Sequence, residues 1–169
     1  MPSTYTLISS NVLSSSAASV TFSAIPATFT DLVVRVSARS DQGDYSDYMT
    51  LAINALGANA DSQRTLYNSD GTVASGSGTV TAITANTTTS NTFSSTEYYF
   101  SIYSNSSTKK PFSIVSNAEN NSSSQYFAPM IAAVLTSSTA AITALTFRPA
   151  FGSNFVSGSS FYLYGIKNS

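Results

Sequence analysis

Apolar and polar residues alternate with a period of two along this chain of 169 residues, and no window longer than about ten residues carries a helical apolar pattern. In segment 32–39 every even-numbered residue is apolar, and every odd-numbered residue except Val33 is polar. Because successive strand side chains point to opposite faces, this segment is predicted to be a half-buried strand with Val33 as its exposed apolar residue. The sequence therefore predicts an all-β protein.

Ten segments carry strand-like patterns, at residues 5–9, 19–23, 32–39, 49–53, 79–84, 98–103, 112–115, 126–135, 142–147 and 161–166. Polar clusters separate them at intervals of roughly 8 to 15 residues, which is typical of sandwiches and too short for βαβ units. We therefore expect an antiparallel β-sandwich, specifically a jelly roll of about ten strands with very little helix. The only predicted helical turn lies at residues 55–60. No Pro- or Gly-rich linker interrupts the pattern, so residues 1–169 are expected to form one domain.

The composition disfavours most kinds of catalytic and metal site. The chain contains no His and no Cys, so it lacks imidazole and thiolate ligands, the commonest general base and any disulfide. We therefore expect no enzymatic activity and no metal or other cofactor. Charged residues make up 9 % of the chain and the net charge is −1, so the basic stripe used to bind nucleic acid is missing. No membrane span is expected, because the longest strongly apolar stretch, residues 127–135, is far shorter than the roughly 20 residues required.

The acidic residues offer the few remaining candidate sites. Asp41, Asp44 and Asp47 form the densest acidic cluster, but their spacing does not match an EF-hand loop. A solvated acidic loop is therefore preferred over a calcium site. Glu97 and Glu119 are the only glutamates, and two facing carboxylates are what glycoside hydrolysis requires. With no other acidic residues clustered near them, solvent-facing positions are preferred for both.

The basic residues are scattered along the chain except for one adjacent pair. Lys109 and Lys110 precede Pro111 and follow a Ser- and Asn-rich turn. A solvated hairpin end is preferred there over a basic tip that binds an anionic partner.

An aromatic run at residues 98–100, followed by Tyr103, places rings on both faces of one predicted strand. Because Tyr is favoured at interfaces, we expect Tyr98 or Tyr99 to lie in a contact with a partner, while core packing remains the alternative for half of the set. The segment 161–164 repeats this pattern, which predicts a strand covered on both faces.

Two segments of the chain resemble small β-rich virion proteins of tailed bacteriophages, especially phages of aquatic bacteria such as cyanobacteria. They are residues 14–41, which contain SAIPATFTDLVV, and residues 155–169, which contain FYLYGIK. The middle of the chain varies among such proteins. The resemblance implies a virion location after synthesis in the host cytoplasm, and it brings no catalytic motif.

Two functional classes follow from this resemblance. The first is a capsid decoration or cement protein, a homo-oligomer and most simply a homotrimer, that binds the major capsid protein on the outer surface of the assembled head. It would need no nucleic acid, membrane or obligatory small molecule. The second is a tail or fibre receptor-binding module whose hydroxyl-rich loops and tyrosines bind carbohydrate. The first is preferred because the chain is small, has no stalk-like repeat and contains no Trp.

Overall fold

The computed structural model describes residues 4–56, 62–66, 73–76, 80–119, 121 and 128–167. These residues form twelve strands and no helix, as the alternation predicts. The strands are β1 (Tyr5–Val12), β2 (Val20–Phe22), β3 (Asp31–Ser37), β4 (Ser46–Ile53), β5 (Ser62–Leu66), β6 (Val73–Gly76), β7 (Val80–Thr84), β8 (Ser95–Phe100), β9 (Lys110–Asn117), β10 (Met130–Leu135), β11 (Leu145–Pro149) and β12 (Ser160–Ile166).

The strands pair antiparallel in two sheets. The larger sheet has eight strands in the order β1-β12-β3-β8-β9-β10-β5-β6, and the smaller has four in the order β2-β11-β4-β7. When β5, β6, β9 and β10 are set aside and the other eight strands are renumbered in chain order, the sheets read 1-8-3-6 and 2-7-4-5. This is the order of two Greek keys in a jelly roll. The predicted antiparallel sandwich is therefore confirmed, and its topology is that of a jelly roll.

The remaining four strands widen the larger sheet. Strands β5 and β6, which the sequence analysis missed, lie between β4 and β7 in the chain, and β9 and β10 lie between β8 and β11. Most of the predicted strands have shifted ends; for example, the strand predicted at 98–103 runs over Ser95–Phe100, and the one predicted at 142–147 runs over Leu145–Pro149. Residues 126 and 127 of a third predicted strand lie outside the described residues.

The prediction of a helical turn at residues 55–60 is wrong at residues 55 and 56, which the structure describes. Asn54 and Ala55 have φ angles of 52° and 61°, and the backbone N–H of Leu56 donates to the carbonyl of Ile53 at 3.0 Å. These residues therefore form a tight turn after β4, and residues 57–60 lie outside the described part of the chain.

The core lies between the inner faces of the two sheets. Phe147, on β11 of the smaller sheet, has its ring centroid 5.3 Å from that of Tyr98 and 5.8 Å from that of Phe161, both on the larger sheet. All three side chains are fully buried. Aromatic contacts thus hold the two layers together in a chain that has no disulfide.

Val33 on β3 is buried, although the sequence predicts that it is exposed. It points to the outer face of the larger sheet but is 0 % exposed. Its neighbours in register are Tyr99 on β8 and Tyr164 on β12. The outer surface is therefore covered at this position by two flanking tyrosines, and strand alternation alone does not reveal such cover.

The two segments that carry the sequence resemblance contact each other. The backbone N–H of Thr30 donates to the carbonyl of Ile166 at 2.8 Å, and the ring of Phe29 packs against Gly165. A β-carbon on Gly165 would lie 2.3 Å from Cγ of Phe29, which is far inside van der Waals contact. The loop before β3 therefore requires a residue without a side chain on β12.

We predict that Gly165→Ala lowers the free energy of unfolding by about 1–3 kcal/mol, the usual cost of overpacking, because the Phe29 ring must move. Gly43→Ala is the matched control, since no atom lies within 4 Å of its added β-carbon, and its effect should stay within about 0.5 kcal/mol. Urea denaturation followed by circular dichroism measures both. Equal stability of the two variants would contradict the close packing of Phe29 on Gly165.

Candidate binding surface

The carboxylates of Asp41, Asp44 and Asp47 accept hydrogen bonds from backbone N–H groups of the protein itself. Asp41 and Asp47 accept hydrogen bonds from backbone N–H groups of residues 151–154, in the loop between β11 and β12, at 2.7–3.1 Å. Asp44 accepts one from the N–H of the next residue at 2.7 Å. The prediction that the three carboxylates lie in a solvated loop is wrong for Asp47. Its side chain is fully buried, where it accepts hydrogen bonds from the backbone of this loop. Among the described residues no group of three or more His, Cys, Asp or Glu is arranged to hold a metal ion.

The hydrogen bonds also set the charge state of Asp41. Burial raises the pKa of its carboxyl, but hydrogen bonds from Asn154 and Ser153 lower it by more, so the pKa lies below its ordinary value. The ionised form is therefore the one that holds the loop.

The two glutamates make separate local contacts. Glu97 Oε2 accepts a hydrogen bond from Arg35 Nε at 3.0 Å, in a partly exposed ion pair. Glu119 Oε1 accepts one from the backbone N–H of Asn121 at 2.7 Å. No contact among the described residues joins the two carboxylates, and the expected absence of enzymatic activity stays a prediction.

Two buried cations are bound by carbonyl oxygens. Lys110 is 0 % exposed, so the predicted solvated hairpin end is wrong at this residue. Its Nζ donates to the carbonyls of Asn105, Thr108 and Thr139, and burial lowers its pKa. Arg39 is 6 % exposed and donates to four carbonyl oxygens of the loop 86–92 at 2.7–3.2 Å. Both cations therefore hold loops in place.

Tyr98 and Tyr99 lie on opposite faces of β8. Tyr98 is fully buried, its hydroxyl is hydrogen-bonded to Thr81 Oγ1 at 2.9 Å, and burial raises its pKa. Tyr99 lies partly exposed on the outer face and donates to Asp31 Oδ2 at 2.7 Å. This hydrogen bond, more than burial, raises the pKa of Tyr99 to about 12. The Tyr98 ring is therefore closed to partners, and a contact role for Tyr99 stays a prediction.

The outer face of the larger sheet carries a group of partly exposed tyrosines, here called the tyrosine face: Tyr5, Tyr99, Tyr162 and Tyr164. The rings of Tyr162 and Tyr164 stack with centroids 6.5 Å apart, and Tyr5 meets Tyr164 edge-on at 6.2 Å. The Arg35 guanidinium lies 6.0 Å from the Tyr5 ring centroid. The sequence predicts that both faces of segment 161–164 are covered. This prediction is wrong for the outer face of the sheet, where Tyr162 and Tyr164 are partly exposed to solvent.

Strand β1 forms one edge of the larger sheet and is here called the β1 edge. Within the described residues it pairs with β12 on one side only, and seven of its eight residues are exposed. Leu7 and Val12 are 53 % and 58 % exposed, and the strand has no charged residue. A bulge between Leu7 and Ser9 shifts the register, so Leu7 and Ser10 both pair with outer-face residues of β12.

An open depression of about 330 Å³ lies on the outer face where β12, β3 and β8 run side by side. The residues that line it are Arg35, Val36, Ser37, Ser95, Thr96, Glu97, Ser160 and Tyr162. No local pattern in the sequence reveals this depression, because its residues come from three strands that are distant in the chain. The only available signal was the aromatic pattern of segment 161–164.

Comparison of the sequence with protein-family models and with curated proteins found no match. In the part of the chain that the structure describes, no helix is long and apolar enough to cross a membrane.

We predict that Asp41→Asn lowers the free energy of unfolding at pH 7 by about 1 kcal/mol, since a neutral amide accepts the loop N–H groups less strongly than a carboxylate. Because the folded pKa of Asp41 is depressed, its contribution is present above the unfolded pKa of about 3.9 and is lost as the pH falls through the folded pKa. The difference between variant and wild type should therefore shrink below about pH 4.

Thermal unfolding at a series of pH values measures this difference. Asp44→Asn is the control, because the Asp44 side chain is exposed and contacts only the adjacent residue's N–H. A difference for Asp41→Asn that stays constant from pH 7 to below pH 4 would contradict the proposed cap.

Proposed function

We propose that this protein is a structural component of a tailed-phage virion, a decoration or cement protein bound to the outside of the assembled head. The observation that carries the proposal is the β1 edge. It is an uncharged strand of eight residues with exposed apolar side chains and no strand partner on one side among the described residues. Soluble proteins usually protect such an edge with charges or Pro, whereas binding partners use it for strand addition.

The tyrosine face adds to this support. Tyr side chains bury much area at little entropic cost and are enriched in interfaces. Here Tyr5 lies on the β1 edge, and its ring contacts that of Tyr164 on the neighbouring strand, which stacks on Tyr162. A specific contact that includes both surfaces would bury about 1,000 Å² or more. The resemblance of residues 14–41 and 155–169 to phage virion proteins supplies the proposed partner, the major capsid protein.

The proposed working unit is a symmetric homo-oligomer, most simply a trimer, placed where capsid subunits meet. A net charge of −1 gives little repulsion between closely packed copies. A protein that binds the assembled lattice and not the free subunit stabilises the lattice by mass action.

The alternative is a tail or fibre module that binds carbohydrate on the host surface. The depression beside Tyr162 is the observation that favours it. The number of copies in each particle separates the two proposals, because a decoration protein follows the capsid lattice and a tail module is present in few copies.

We predict that phage particles made without this protein lose resistance of their heads to heat or low salt, and that purified protein restores it. Quantitative gel densitometry of complete particles should give a copy number that matches the capsid lattice. Heads of unchanged stability together with a copy number of a few would reject the decoration role and favour the tail module.

A further inference from the structure

We propose that the depression on the outer face of the larger sheet binds a neutral saccharide, with the Tyr162 ring as its apolar wall and the Arg35–Glu97 pair as its hydrogen-bonding wall. This site does not depend on the proposed decoration function; it is the site, and a neutral saccharide is the class of glycan, on which the alternative, a carbohydrate-binding module, would rest. It would give the protein, wherever it lies on the particle, a weak affinity for glycans.

The depression arises from the sizes of side chains in neighbouring rows of the sheet. In one row Tyr162 pairs with Arg35, and Arg35 pairs with Glu97, so three long side chains stand side by side across β12, β3 and β8. In the adjacent row Ser160 pairs with Ser37. Because the outer-face side chains of this row are short, the surface is lower there than over the row of Tyr162, Arg35 and Glu97, and this difference in height forms the depression.

The long side chains contact one another in the absence of a ligand. Glu97 Oε2 accepts from Arg35 Nε at 3.0 Å, and the Tyr162 ring stacks on Tyr164 at 6.5 Å. A site that is already ordered loses less conformational entropy when it binds a ligand.

The chemistry of the lining matches a polyhydroxylated ligand. Arg35 offers guanidinium N–H donors that Glu97 does not occupy, Glu97 offers a carboxylate acceptor, and the serines are both donors and acceptors. A sugar hydroxyl likewise donates and accepts. The Tyr162 ring face offers the apolar surface against which the C–H face of a pyranose packs.

Charge and size favour a short, neutral glycan. Arg35 and Glu97 cancel in charge, and no other charged residue lines the depression, so an anionic ligand has no net attraction. The volume of about 330 Å³ is at the lower end of the range of ligand sites, about 300–1,000 Å³. Such a shallow site should bind with a dissociation constant in the millimolar range, and several copies on one particle would raise the avidity.

The test uses ¹⁵N NMR spectra of the purified full-length protein titrated with neutral oligosaccharides of hexose, pentose and N-acetylhexosamine units. At least one of them should shift the backbone signals of Ser37, Ser95 and Ser160 in a saturable manner. Tyr162→Ala should weaken that binding about tenfold through loss of the ring contact. Tyr45→Ala is the matched control, because Tyr45 is 50 % exposed and does not line the depression.

Several results would overturn the proposal. These are no saturable shift with any neutral saccharide of the panel, shifts that map elsewhere, and binding that Tyr162→Ala leaves unchanged. One sulfated and one sialylated oligosaccharide are titrated in the same way, and tighter binding of either would reject the neutral ligand. Glycerol at equal concentration controls for nonspecific hydroxyl effects. Because the titration contains no phage heads, its outcome is independent of the capsid-binding experiment.

Discussion

The inner faces of the two sheets are held against each other by the contact of Phe147 with Tyr98 and Phe161. This contact joins the smaller sheet to the larger one, at ring-centroid distances of 5.3 and 5.8 Å. Truncation of a buried Phe to Ala typically costs about 3–5 kcal/mol, against a total stability of about 5–15 kcal/mol for an ordinary domain. With no disulfide available, burial between the two sheets must supply most of the stability of this chain.

Because the inner faces of the two sheets form the core, the surfaces open to solvent are the outer face of the larger sheet and its edge. The loops are held by internal groups: Asp41 and Asp47 bind residues 151–154, Arg39 binds the loop 86–92, and Lys110 binds three carbonyl oxygens. These charged groups are therefore occupied by the fold itself. The β1 edge and the tyrosine face are different, because they lie outside the core between the two sheets and their side chains are partly or largely exposed.

Most of the strand positions could be predicted from the sequence because alternation is a local signal. Strands β5 and β6 could not, since segments such as Ser62–Leu66 carry no clear alternation of apolar and polar residues. The fully buried Lys110 was missed because its carbonyl partners come from residues 105–139, and local sequence does not reveal their convergence. Alternation placed Tyr98 and Tyr99 on opposite faces, but only the packing of the second sheet determines which of them is buried.

The binding of a Leu7→Lys variant to phage heads stripped of the protein tests the proposed role of the β1 edge as the surface that binds other proteins. Val115→Lys is the matched control, because Val115 is 49 % exposed on the same outer face but lies on β9, away from the edge. We expect Leu7→Lys to fold normally and to bind roughly 30-fold more weakly, the effect of about 2 kcal/mol at an interface hot spot, while Val115→Lys binds as wild type. Unchanged binding of a folded Leu7→Lys variant would reject the β1 edge as the binding surface.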